Sequence, residues 1–199
     1  VSTKDRFYPN TGISSLGHAI PAAIGAGFAV DPPLFAMIGD GVNDVLSLKR
    51  SNLAIAGVLR EALDKLGEAG ITRSVMILNG LGGEALSAQH ADNSARLINA
   101  TQPEYLSTLV VTLHNGGHRY REAWPEWQAL TQPGLFREME RFLAALELRR
   151  TVFRSDHASN WLVLKGTLGA DKARLLAQVR EAIERPDEAP LRAAWMRGL

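Results

Sequence analysis

Short apolar runs that end in glycine turns alternate with segments of helical spacing, and this alternation most constrains the fold. The runs lie at 34–38, 74–78 and 106–113. Continuous apolar runs of this length are typical of buried strands in parallel sheets, and helices connect such strands. The sequence therefore predicts an α/β fold, either a partial (β/α) barrel or an open parallel sheet with flanking helices, with about four or five strands.

Helical segments are predicted at 14–29, 58–66, 87–100, 131–148 and 171–184. The apolar residues have helical spacing at 58–66 and 171–184, and the stretch 14–29 is rich in Ala, Ile and Gly. Gly70 is expected to end the helix at 58–66, and Pro133 suits the first turn of the helix at 131–148, whose cap is expected at Thr131 or Gln132. A fourth strand is predicted at 150–154. The polar stretch 184–190 links the last helix to a short tail.

Three glycine-containing turns follow the first three predicted strands, at 39–41, 80–83 and 115–117. The carboxyl ends of parallel strands meet at one edge of the sheet, and ligands of such folds bind there. These turns are therefore expected to lie together at a ligand-binding edge.

The bulk properties exclude several classes of protein. With 199 residues the chain is long enough for one domain and a sizeable core. Its formal net charge of +1 gives no reason to expect nucleic acid as a partner. No apolar run is long enough to span a membrane, and the first residues, "VSTKDRFYPNTG", lack the apolar core of a signal peptide. A cytoplasmic location is therefore expected.

The chain contains no cysteine. This excludes disulfides, thiolate zinc sites, cysteine nucleophiles and iron–sulfur clusters held by cysteines of this chain.

The stretch "GISSLGHAIPAAIGAGFA", followed by "PPLFAMIGDG", resembles the diphosphate-binding domain of thiamine-diphosphate enzymes over residues 6–41. The resemblance implies that Asp40 binds the magnesium ion that holds thiamine diphosphate. That family also places an Asn on the metal at the end of the next stretch, and the candidate for this role, Asn79, lies further along than the family pattern allows.

The overlapping stretch "MIGDGVNDVLSLKRSNLAIA" (37–56) resembles the hinge motif of P-type ATPases, in which carboxylates bind magnesium. The resemblance implies metal-binding roles for Asp40 and Asp44. The nucleophilic Asp-Lys-Thr-Gly-Thr motif of that family does not occur in this chain. The candidate metal ligands are therefore Asp40, Asn43 and Asp44, and the alternative is that these residues form a turn and cap the next helix.

The longest resemblance covers about residues 60–199 and includes "SVMILNGLGGEALSAQHADNSARLINATQPEYLSTLVVTL" and "FRSDHASNWLVLKGTL". These segments are similar to the C-terminal half of a radical S-adenosylmethionine family protein. The resemblance implies a partial (β/α) barrel in which Gly80, Leu81, Gly82 and Gly83 lie near the adenosine of S-adenosylmethionine. The N-terminal half, which carries the cluster-binding cysteines in that family, has no counterpart here.

The three resemblances meet near residues 40 and 58, and none is complete. They divide the chain into an N-terminal segment, 1–57, and a half-barrel-like part, 58–199. We interpret the sequence as a mosaic; a natural homologue that aligns across both joins would contradict this interpretation. The expected function is that of a radical S-adenosylmethionine family fragment with at most weak nucleotide binding. The alternatives are a thiamine-diphosphate and magnesium enzyme remnant, and a non-enzymatic α/β domain.

Two sets of candidate binding residues can each be interpreted in two ways. The glycines at 80–83 are expected either to let a nucleotide approach the backbone or to form an ordinary loop. His157, Asn160 and Lys165 are expected either to line a ligand site or to form a hydrogen-bonded turn. An open half-barrel exposes a strand edge, so a homo-oligomer is also predicted.

Overall fold

A computed structural model describes residues 35–39, 54–112, 121–122 and 124–197. The helix predicted at 14–29, the candidate metal ligands Asp40, Asn43 and Asp44, and the turn at 115–117 lie outside the described residues.

Five strands form one sheet in the order of the sequence: β1 (Phe35–Gly39), β2 (Thr72–Asn79), β3 (Tyr105–Val110), β4 (Val152–Ser155) and β5 (Leu164–Thr167). The pairs β1–β2, β2–β3 and β3–β4 are parallel, and β5 runs antiparallel to β4. The predicted α/β fold with an open, mostly parallel sheet is therefore confirmed.

The antiparallel strand β5 was not predicted. Only residues 156–163 connect it to β4, whereas a parallel crossover needs a longer connection, usually with a helix. The short connection therefore returns the chain in the opposite direction.

Four helices are described in detail: α1 (Ala54–Glu68), α2 (Gly83–Thr101), α3 (Gln132–Ala145) and α4 (Lys172–Glu184). Helix α1 crosses the boundary predicted at residue 57, and β1, which lies in the predicted N-terminal segment, pairs with β2. Thus the segment before residue 58 contributes a strand to the sheet. None of the described helices is long and apolar enough to cross a lipid bilayer.

Helix ends follow local signals. Thr131 caps α3, its hydroxyl accepting a hydrogen bond from the Gly134 backbone N–H at 3.3 Å, and proline occupies the first turn, as expected. Helix α3 ends before Leu146, which has extended backbone angles, and so is shorter than predicted. Gly70 adopts a φ of +70° just after α1, which favours glycine.

One face of the sheet packs against the helices, and α3 contacts both α2 and α4. Along β2 the burial alternates, so that Val75 and Ile77 point into the core while their neighbours are half-buried. The fully buried side chains of this core come from both layers and include Leu63, Leu66, Ile98, Leu106, Leu143, Phe153, Leu164, Leu175 and Val179.

A buried arginine fixes the amino-terminal edge of the sheet. Arg73 forms a salt bridge of 2.8 Å with Glu104, and its guanidinium also donates to the carbonyls of Leu63, Thr101 and Gln102. It thereby connects β2 to the ends of α1 and α2. The carboxyl ends of the parallel strands form the opposite edge, where the turn at 80–83 and the loop after β4 lie.

Candidate functional site

The turn between β2 and α2 contains the predicted nucleotide-binding residues Gly80, Leu81, Gly82 and Gly83, and all four are buried. Gly80 and Gly83 have φ angles of +88° and +59°, in the region that favours glycine. The Gly80 N–H donates to the Glu138 carboxylate at 2.7 Å. The turn is thus tied to α3 at the carboxyl end of β2.

The segment 124–130 covers this turn. The indole N–H of Trp127 donates to the Leu81 carbonyl at 3.0 Å, and the Glu84 N–H donates to the Gln128 carbonyl at 2.9 Å. A Cβ added to Gly83 would lie 2.6 Å from the Gln128 oxygen and 2.7 Å from the Trp127 ring. Protein atoms therefore fill the space beside Gly83, and a ligand at this edge has to lie next to the turn.

Glu138 is a site residue that the sequence analysis missed. Its carboxylate also accepts from the Ser87 hydroxyl at 2.6 Å, and His90 Nδ1 lies 3.3 Å from its other oxygen. Only 3% of Glu138 is exposed. A sequence signal existed, because Glu138 lies on the same helical stripe as the buried Leu135 and Phe142. A carboxylate at a core position requires partners, and here they come from α2 and its preceding turn.

The loop after β4 crosses the carboxyl end of β3. The Ser159 hydroxyl accepts from the Val110 N–H at 3.1 Å, and the Asn160 side-chain amide donates to the Thr108 carbonyl at 2.8 Å. These side chains satisfy backbone groups of β3 that β4 does not reach. Ser159 and Asn160 are both buried.

His157 is exposed and stabilises the same loop. Its Nδ1 accepts from the Ser159 N–H at 3.1 Å and lies 2.9 Å from the Ser159 hydroxyl. Because a backbone N–H can only donate, Nδ1 carries no proton in this arrangement. The proton of the neutral ring is therefore on Nε2, and Nδ1 is already engaged and does not face a substrate.

Lys165 lies on β5 and forms a 2.8 Å ion pair with Asp156, both partly exposed. The hydrogen bond from Lys165 is the main reason that the pKa of the Asp156 carboxyl is held below its usual value. The structure thus brings His157, Asn160 and Lys165 to one loop region, where each has a partner within the protein.

Two arginines of the tail hold this loop from outside. Arg192 donates to the Asp156 carbonyl at 2.9 Å and also to the His157 carbonyl. Arg197 donates to the Ser159 carbonyl at 2.8 and 3.0 Å, and its guanidinium lies 3.8 Å from the centre of the Trp161 ring. Burial lowers the pKa of Arg197. Sequence reasoning missed both residues, because nothing in the local pattern indicates which carbonyls a distant arginine reaches.

A half-buried apolar platform lies beside the glycine turn. Leu78, at the end of β2, and Val111, just after β3, pack with Leu81, Trp124 and Trp127. Leu78, Val111 and Trp127 each keep part of their surface open to solvent.

Within the described ranges, no cluster of three or more histidine and acidic side chains is arranged to hold a metal ion. The predicted metal site at Asp40, Asn43 and Asp44 lies outside those ranges, so it stays a prediction.

Comparison with known proteins finds no match to this chain among family models, curated proteins or solved structures.

Proposed function

We propose that this chain is a radical S-adenosylmethionine family fragment that binds S-adenosylmethionine or a related nucleoside weakly and performs no radical chemistry by itself. The sequence resemblance over residues 60–199 supports the proposed family. The position of the glycine turn at the carboxyl end of β2 supports the proposed location of the binding site. Ligands of parallel α/β sheets bind at the carboxyl ends of the strands.

The apolar platform beside the glycine turn is the observation that carries the proposal. Nucleoside bases bind to apolar and aromatic surfaces, with a few polar groups fixing their orientation. Leu78, Val111 and Trp127 supply such a surface at the carboxyl edge. A base placed on this platform lies next to the turn at 80–83, as the family resemblance requires.

Binding is expected to be weak because the turn itself is closed. Trp127 and Gln128 approach Gly83 so closely that no ligand atom fits against its backbone. A nucleoside on the platform therefore keeps one face in water. We expect a dissociation constant of about 1 mM, which corresponds to about −4 kcal/mol.

Reductive cleavage of S-adenosylmethionine needs an electron from an iron–sulfur cluster, and the clusters of this family are held by cysteine thiolates. The chain has no cysteine. Residues 1–199 therefore supply at most a binding surface, and a cluster for any radical step would have to be held by cysteines outside these residues.

The test is a thermal-shift and calorimetric titration of the full chain with S-adenosylmethionine, with thiamine diphosphate plus Mg²⁺, and with Mg²⁺ alone. A ligand that binds only the folded protein raises its melting temperature by mass action. We expect saturable binding of S-adenosylmethionine without added metal.

Two variants of β2 locate the site. Leu78→Thr removes an apolar side chain from the platform, and we expect it to reduce the shift at least several-fold. Ser74→Thr is the control, on the same strand and face but four residues nearer the amino end, about 13 Å away. We expect the Ser74→Thr variant to bind S-adenosylmethionine as the unchanged protein does. Equal binding by both variants, or no saturable binding, contradicts the proposed site.

A response that requires both thiamine diphosphate and Mg²⁺ would instead support the alternative site at Asp40, with Asn43 and Asp44 as further ligands. The second candidate function is a non-enzymatic folded α/β domain. It is favoured by the internal partners of His157, Asn160 and Lys165, and the absence of any ligand response would support it.

A further inference from the structure

A small cavity lies between the carboxyl ends of β2, β3 and β4 and helix α3. Its volume is about 20 Å³. Three of its lining residues are polar, Asn79, Ser155 and Asn160, and the others, including Val110 and Leu135, are mostly apolar. About 10–15 Å³ is enough for one water molecule when polar partners are present.

Asn160 presents a buried acceptor to this cavity. The residue is 3% exposed, and its Nδ2 donates to the Thr108 carbonyl. A carbonyl only accepts, so the amide orientation is fixed and Oδ1 is the remaining group. Within the described part of the chain, Oδ1 of Asn160 has no hydrogen-bond partner. A buried acceptor of this kind normally has a partner, from protein or from ordered water.

Two further polar groups line the same cavity. Asn79 donates through Nδ2 to the Leu135 carbonyl at 3.3 Å, which leaves its Oδ1 as a second acceptor. Ser155 is 1% exposed, and its hydroxyl both donates and accepts.

We propose that this cavity is the binding site of one internal water molecule, which donates to the two amide oxygens and accepts from the Ser155 hydroxyl. The chemistry selects water: the ligand needs two donor hydrogens and an acceptor on a single heavy atom. This water joins β2, β4 and the loop after β4, beneath α3. The inference does not depend on the proposed nucleoside binding.

Nuclear Overhauser effects between water and the methyl protons of Val110 test the proposal directly, on full-length protein labelled with ¹³C. We expect a cross-peak with the sign of a long-lived bound water. Its absence overturns the proposal, and this measurement needs no variant.

A cavity-filling variant gives a second test, because a hydrated and a dry cavity predict opposite changes in the urea midpoint. Val110→Ile adds one methyl group and displaces the water, which leaves Asn160 Oδ1 without a partner. We therefore expect a lower urea midpoint and loss of the water contact. Filling a dry cavity would raise the midpoint instead, and that result overturns the proposal. Val152→Ile makes the same change outside the cavity and is the matched control.

Discussion

Replacing the buried Arg73 by Met is expected to destabilise the fold strongly. The guanidinium donates to the carbonyls of Thr101 and Gln102, which lie at the end of α2 where no further helical N–H reaches them, and it pairs with Glu104. Met keeps much of the aliphatic volume but donates no hydrogen bond. Each buried carbonyl left without a partner costs about 1–3 kcal/mol.

The loss of the ion pair adds less than for a fully buried pair, because the Glu104 side chain is 44% exposed and water reaches its carboxylate. In addition, the Arg73 backbone N–H still donates to Glu104. The contributions are not additive, since they share one side chain. We expect a total loss of about 2–4 kcal/mol, most of it from the carbonyls left without a partner and at most about 1 kcal/mol from the half-exposed ion pair.

The assay is equilibrium urea unfolding, followed by tryptophan fluorescence and by circular dichroism. With a slope of about 1–3 kcal/mol per molar urea, the midpoint should fall by at least about 0.7 M. Arg150→Met is the control, because Arg150 is exposed before β4, and its effect should stay within about 0.5 kcal/mol. Equal midpoints for the two variants would refute the reasoning about Arg73.

Three further predictions concern pH, the glycine turns and assembly. Desolvation raises the pKa of Glu104, but hydrogen bonds from Arg73 outweigh it and hold the pKa below its usual value. The stabilisation by the pair is therefore fully present above the usual pKa of a Glu carboxyl and is lost as the pH falls through the lowered pKa of the folded state. The difference in urea midpoint between the unchanged protein and Glu104→Gln should accordingly shrink as the pH is lowered below that usual value. Gly83→Ala should lower the melting temperature more than Gly70→Ala: both have positive φ, but only at Gly83 does a Cβ meet protein atoms, including Trp127. Since β1 and β5 are the edges of the described sheet, light scattering should find a dimer or larger assembly, and a monomer would contradict the oligomer prediction.

The strands and helices could be predicted because their signals are local. The apolar run at 74–78 lies within β2, and the stripe containing Leu175 and Val179 faces the core from α4. The cap at Thr131 and the positive φ of Gly70 also follow from neighbouring residues. Patterns of this kind depend on the geometry of one element and need no knowledge of what packs against it.

The features that could not be predicted from the sequence depend on tertiary contacts. The closure of the glycine turn depends on Trp127 and Gln128, which lie more than 40 residues further along the chain. The role of Glu138 depends on which turn lies opposite α3. A glycine that lies against a ligand and a glycine that lies against a neighbouring indole look the same in sequence. The position of the candidate site could therefore be predicted, but the side chains that fill it could not.

The order of the sheet has a consequence for synthesis on the ribosome. Among the described strands, each pairs with the strand before or after it in the chain, so every new one of these strands finds its partner already made. Such pairing lets the sheet extend strand by strand as the chain is made, since chains fold from the amino end during synthesis. The loop at 156–160 is the exception, because Arg192 and Arg197 are added only after α4. The sheet can therefore form progressively, while its carboxyl edge is completed in a separate, later step.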